Sequence, residues 1–161
     1  MKNKGFSLVE LIIVIAIMAI LAAAIAPALI RYIDKSRKAD DVTAAGTIES
    51  SVSAALANET AYDEVTKLVG TSTDYVVVAY VDGSSSAKGT YADVTAKTSG
   101  NYFKKELQSS LTSGAKVKYT KDGAVGYTVA VNGNGTIGVY IADKADATTW
   151  MIRPSMTDLY K

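Results

Sequence analysis

Glu10 stands at the edge of an apolar run that continues without a charge from Leu11 to Ile30. Hydrocarbon penalises an isolated carboxylate, which must take up a proton or find a cation. The chemistry this placement implies is ion pairing rather than catalysis. Elsewhere the chain is poorly equipped for reactions. It has no His, the commonest general base and metal ligand, and no Cys, so thiol catalysis and thiolate zinc sites are excluded. Asp40 and Asp41 are adjacent, but neighbours on a helix point in different directions, so the pair reads as a solvated helix face. Asp122, Asp143 and Asp146 could supply oxygen ligands but lack the dense spacing of a calcium loop, and no metal or cofactor is expected.

The segment that holds Glu10 is long enough to cross a membrane. About twenty residues at ~1.5 Å each match the ~30 Å hydrocarbon core. Thirteen Leu, Ile and Val residues lie between Leu8 and Ile30. At roughly −0.3 to −0.6 kcal/mol apiece they favour insertion by about 4–8 kcal/mol, more than the ~3 kcal/mol penalty of one acid. Lys2 and Lys4 precede the span and direct the N-terminus to the cytoplasm. Arg31, Lys35, Arg37 and Lys38 follow it and oppose that orientation, but the first charges dominate. A cleaved secretory signal is the competing reading, with Ala26-Pro27-Ala28 as its cleavage site, but the apolar region is too long for one.

The residues Gly5-Phe6-Ser7-Leu8-Val9-Glu10-Leu11, after a short basic leader and before uninterrupted apolar sequence, closely resemble the start of type IV prepilins and related pseudopilins. The resemblance is specific over residues 1–30 and extends beyond about residue 60 only as a shared architecture. It implies that a prepilin peptidase cuts between Gly5 and Phe6 and that the new Phe6 amine is N-methylated. It implies a leader of residues 1–5, a transmembrane and polymerisation helix of residues 6–30, and a head of residues 31–161. It also implies that Glu10 meets the Phe6 amine of a neighbouring subunit, so that the pair sets the register between helices. Pro27 lacks an N–H and clashes with the carbonyl of Ala23, so a kink is expected there. Some pilins carry Gly earlier in this segment; Ala19 and Ala22-Ala23-Ala24 here are good helix formers.

Beyond the span, Val42, Ala45, Ile48, Val52 and Leu56 recur at helical spacing and make a narrow apolar stripe. With no strong stop before Asn58, one helix of about fifty residues is expected, oily all round at first and on one side later. Asp34, Lys38, Asp41 and Glu49 are expected mostly on the outside of that stripe. Strands are predicted over 75–81, 115–120, 125–131 and 136–141, the last three as a meander through turns at Lys121-Asp122-Gly123 and Asn132-Gly133-Asn134-Gly135. Tyr102–Leu111 reads as a short helix, and Gly83–Gly89 as a loop. The fold expected is α+β and pilin-like: one long N-terminal helix whose stripe covers one face of an antiparallel sheet. Without a disulfide, the C-terminal loop must be held by packing, through Trp150, Met151, Ile152 and Leu159.

Seventeen basic and sixteen acidic residues leave the chain near neutral, with no basic patch, so intrinsic nucleic-acid binding is not expected. The function expected is structural, not enzymatic: the major subunit of a type IV pilus, first a single-pass membrane protein and then part of an extracellular filament on the bacterial surface. Its partners are copies of itself, the prepilin peptidase and N-methyltransferase, and the inner-membrane assembly platform. The alternative is a pseudopilin of a type II secretion or competence system. Adhesion, motility and DNA uptake are roles of the family that these residues do not separate.

Overall fold

A computed structural model describes residues 7–83, 94–111, 116–120, 122–143, 148–157 and 160. Two compact units emerge, residues 1–36 and 37–161, and each is taken by itself. The first helix, α1 (Leu8–Ala55), runs through both. From Leu11 to Ile30 it carries no charge and is apolar on every side, and Pro27 lies within it without ending it. None of its large apolar side chains from Leu8 to Ile30 is buried.

In the second unit the stripe read from the sequence is the core. Ala45, Ile48, Val52 and Ala55 are fully buried, with Val42 and Leu56 packed at the margin. Asn58 separates α1 from a second helix, α2 (Glu59–Val69), by accepting from the amides of Thr60 and Ala61 at 3.0 and 3.2 Å. This is an Asn N-cap, and the helix it opens is additional to those expected from the apolar pattern. Gly70, at φ +60°, closes α2 in a backbone conformation that side chains resist.

The sheet follows. Strand β1 (Val76–Asp82) pairs with β2 (Val94–Ala96) on one side and β3 (Gly126–Val131) on the other; β4 (Ile137–Ala142) and β5 (Trp150–Arg153) complete it. The order is β2-β1-β3-β4-β5 and every pairing is antiparallel. Helix α3 (Tyr102–Ser110) lies in sequence between β2 and β3. The fold is therefore α+β, with the long helix packed against an antiparallel sheet. The inner face supplies Val129, Val139, Val81 and Ile141 to the same cluster as the helix stripe.

The outer face of the sheet has its own cover. Thr128 pairs with Tyr80 and Tyr140, so these three share that face. Gly126 and Gly138 leave room for rings: a Cβ at Gly126 would meet the Tyr80 ring and hydroxyl, and one at Gly138 would meet Tyr75. Tyr75 stands edge-on to Tyr140 with centroids 6.2 Å apart. All six residues of the central strand β3 are consequently buried.

Three sequence expectations are corrected here. Residues 116–120 are not a strand, and the sheet's meander is β3-β4-β5 instead. The amides of Lys118 and Tyr119 donate not to a neighbouring strand but to the carboxylate of Asp41, at 2.7 and 3.0 Å. Asp41 itself is not on a solvated face: it is fully buried, in phase with Ala45 and Ile48, and also receives the Tyr127 hydroxyl at 3.4 Å. Its neighbour Asp40 is outside, 2.8 Å from the Lys118 ammonium. The third correction concerns the C-terminal segment. It is a strand rather than a loop over Trp150–Arg153, with Ile152 buried, and Arg153 meets Glu49 of α1 at 2.6 Å. Tyr160, also buried, sits edge-on to Tyr119 at 6.2 Å, with the Lys38 ammonium 4.7 Å above the Tyr119 ring. Leu159, Asp146 and the predicted loop from Ser84 to Gly89 lie outside the described residues.

Burial raises the Asp41 carboxyl above its ordinary value, more than the two amides and the Tyr127 hydroxyl lower it; Asp40 adds to the rise. The folded chain thus holds this proton more tightly than the unfolded one. The stability this proton provides is complete below about pH 4 and is lost as pH climbs through the folded-state value. Wild type should lose stability relative to Asp41→Asn over that rise, read by chemical denaturation at several pH values. Asp41→Ala, which removes the acceptor of two part-buried N–H groups, should cost about 1–3 kcal/mol at any of them.

Candidate functional site

The first described residue, Ser7, lies just outside α1, and Glu10 is in its first turn. The Ser7 amide donates to the Glu10 carboxylate at 2.8 Å, while the Leu11 amide donates to the Ser7 carbonyl at 3.2 Å. Ser7 is thus the cap position and Glu10 the third helical residue, reaching back to the cap amide. This is the glutamate half of a capping box, whose Ser-x-x-Glu spacing is legible in Ser7-Leu8-Val9-Glu10 and is separate from the charge-based reading of Glu10. A carboxylate is also favoured near a helix N-terminus, where the unpaired N–H groups carry partial positive charge.

Glu10 is otherwise exposed, and the surface that continues from it is greasy. From Leu8 to Ile30 the large apolar side chains are about half to three-quarters exposed, from Val14 at 49% to Leu8 at 73%. An apolar surface of this extent implies a lipid or protein environment. By length and composition α1 could cross a membrane, with a mean hydropathy of 3.0 over its most apolar eighteen residues. Tyr32 and Ile33 extend the exposed apolar surface, and Arg31 and Lys35 are exposed beside them. Of the four residues singled out by sequence, the structure places Glu10 at the helix start and Pro27 within the helix. Gly5 and Phe6 lie outside the described residues.

Metal-binding candidates stay dispersed. Among the described residues no three Asp, Glu, His or Cys side chains converge as a metal would require. Asp143 instead receives the Thr149 hydroxyl at 3.3 Å. Glu64, nine per cent exposed, is also a structural carboxylate: it accepts from the amides of Tyr102 and Phe103 and so caps α3 from α2.

A family profile described as "Prokaryotic N-terminal methylation motif" matches residues 1–26. Over 147 residues the chain is 32% identical to "Fimbrial protein Q" from Moraxella bovis, covering 84% of this chain and 90% of that one. The chain is a type IV pilin. No solved structure matches it. The likeness to the Moraxella protein extends well past the apolar helix, so the head of this pilin is included in the relationship and not only its N-terminal motif.

The cap gives the pilin's acid a role separable from its charge. Glu10→Gln keeps a carbonyl for the Ser7 amide, whereas Glu10→Ala removes the acceptor and should weaken the first turn by about 0.5–2 kcal/mol. Hydrogen exchange on the full-length protein in detergent micelles should show faster exchange in that turn for Ala than for Gln.

Proposed function

We propose that this pilin is the major subunit of a type IV pilus and acts by polymerising through its apolar helix. The observation that carries the reading is a carboxylate at the head of an exposed, uninterrupted apolar surface. In this reading residues 1–5 are removed by a prepilin peptidase that cuts after Gly5. Phe6 then bears a new amine, which is methylated. Residues 6–30 hold the subunit in the membrane as a single span until it joins a filament, and residues 31–161 form the part exposed at the surface.

Assembly places apolar helices side by side, where a lone carboxylate is costly. The Ser7 amide meets one of its lone pairs, and others are left to accept from the Phe6 amine of an adjacent subunit. A buried pair of this kind adds little net stability, because each charge must first be stripped of water. Its contribution is register: only one axial offset brings both charges together. The small side chains of Ala22, Ala23 and Ala24 allow close approach of helices. Pro27 supplies the point at which the helix bends as subunits pack, since the Ala23 carbonyl has no amide to receive.

Four measurements test this. Mass spectrometry of the mature N-terminus should find methylated phenylalanine at Phe6, and substitution of Gly5 by a bulky residue should leave a larger membrane-bound precursor on a gel. Glu10→Ala should be inserted and displayed but fail to form filaments; normal fibres from that variant would remove the register argument. Antibody labelling of the head should reveal surface fibres many cell-widths long. If only short, cell-bound assemblies appear under inducing conditions, the subunit is a pseudopilin of a secretion or DNA-uptake system.

A further inference from the structure

The second unit contains a cleft of about 340 Å³ between the last turns of α1, one face of α2 and the turn joining β3 to β4. Its floor is apolar: Leu56, Val65, Val69, Val131 and Ile137. One wall carries Tyr62, 52% exposed, and polar groups at the rim come from Ser53, Thr66 and Asn132. No Asp, Glu, Lys or Arg lines it. That absence is informative because α2 carries Glu59, Asp63, Glu64 and Lys67, and all four are turned elsewhere.

The cleft is built rather than left over. The Gly133 amide donates to the Ser72 carbonyl at 2.6 Å, and a Cβ at Gly133 would meet that oxygen at 2.9 Å. The hairpin therefore closes against the end of α2 only because residue 133 has no side chain. Asn132 is fixed in turn: its carbonyl oxygen accepts the amides of Asn134 and Thr136, at 3.1 and 2.9 Å. Its amide NH2 remains to donate. The Ser53 hydroxyl donates to the Glu49 carbonyl at 2.9 Å, so what it offers a ligand is a lone pair.

We propose that this cleft binds a neutral saccharide. An exposed aromatic face, an amide donor and hydroxyl groups over an apolar floor match a ring with apolar C–H faces and hydroxyl edges. An ionic ligand would find no counter-charge there. A long aliphatic chain would leave the rim groups of Thr66 and Asn132 unpaired, a loss that polar recognition avoids.

Saturation-transfer NMR on the full-length protein in detergent micelles tests the assignment. N-acetyl-D-glucosamine and D-galactose serve as neutral probes, D-glucuronic acid and D-glucosamine as charged ones. Saturable binding of at least one neutral sugar is expected, with the charged sugars weaker. Tyr62→Ala should weaken it at least tenfold, and Thr66→Lys, which places a charge in the cleft, should do the same. Tyr102→Ala, at another half-exposed tyrosine outside the cleft (57% exposed), should leave binding unchanged. Thermal melts of both cleft variants guard against misfolding. The proposal is overturned if neither neutral sugar saturates, if charged sugars bind equally well, or if Tyr62→Ala and Tyr102→Ala behave alike. It is equally overturned if Tyr62→Ala spares sugar binding but blocks association of subunits, for the cleft would then be a contact between copies.

Discussion

Two backbone amides that belong to no strand end on one buried carboxylate. Lys118 and Tyr119 donate to Asp41, and much of the arrangement of the second unit follows from that contact. The segment 116–120 is drawn onto α1 instead of into the sheet, so the sheet keeps five strands with β2 and β5 at its edges. Tyr127, fully buried on the central strand, directs its hydroxyl to the same acid, and burial with that neighbouring charge keeps the phenol from ionising well beyond its usual range. Tyr119 then carries Tyr160 against it under the Lys38 ammonium. A carboxylate can do this because it accepts from several directions at once, whereas a backbone carbonyl in a helix has already spent its main lone pair. The arrangement comes with a charge in a low-dielectric site, which explains why burial wins over the hydrogen bonds in setting the acidity of Asp41.

The same unit is fastened without a disulfide. The Glu49–Arg153 and Asp40–Lys118 pairs tie α1 to the edge strand and to the 116–120 segment, but both are partly exposed, and pairs of that kind contribute little. The larger share falls to apolar burial of Ile48, Val52, Leu107 and Ile152, each worth about 1.5–3 kcal/mol relative to exposure. On the other face of the sheet, tyrosine rings lie over Gly126 and Gly138. Gly weakens a strand when its neighbours leave its backbone open; here aromatic cover replaces the missing side chains. Several of the ten tyrosines are thus packing residues of the outer sheet face, whose hydroxyls burial holds protonated at Tyr80 and Tyr140.

What could be read beforehand divides along periodicity. The stripe of Ala45, Ile48 and Val52, the short helix at Tyr102 and the strands at 76–82, 126–131 and 137–142 all announce themselves as repeats of apolar residues, and all are present. Asp41 escapes a periodicity that counts apolar residues only. It sits four residues before Ala45, in phase with the stripe, and an acid at such a position is buried only when donors from far along the chain come to meet it. Lys116-Val117-Lys118-Tyr119-Thr120 alternates as a strand should, yet alternation cannot say whether its amides find a strand or a side chain. Helix α2 is hidden for a different reason: its apolar positions Ala61, Val65 and Val69 are spaced correctly but diluted by charge, and Asn58, which follows the end of α1, also begins α2. The β5 strand has only four residues, too short for its pattern to stand out.

The N-terminal acid shows the same lesson at the candidate site. Read as a charge in grease, Glu10 demands a cation, and the proposed assembly would supply one in the form of a neighbour's amine. Read as the third residue of a helix, it already has a donor in the Ser7 amide. The two readings do not compete for the same capacity, since an ionised carboxylate offers about four lone-pair sites and the cap occupies one. Their energetics differ in kind. The cap acts within one chain and needs no partner, so it would reduce the penalty for a subunit held in lipid. The proposed intermolecular pair would exist only after association and would depend steeply on axial offset, because its strength in a low-dielectric surround falls with each ångström of separation. A residue that had only the cap would make a soundly started helix with no preference for one neighbour position over another; one that had only the pair would strain the unassembled subunit. With both, as proposed, a single carboxylate would be tolerated before assembly and selective during it.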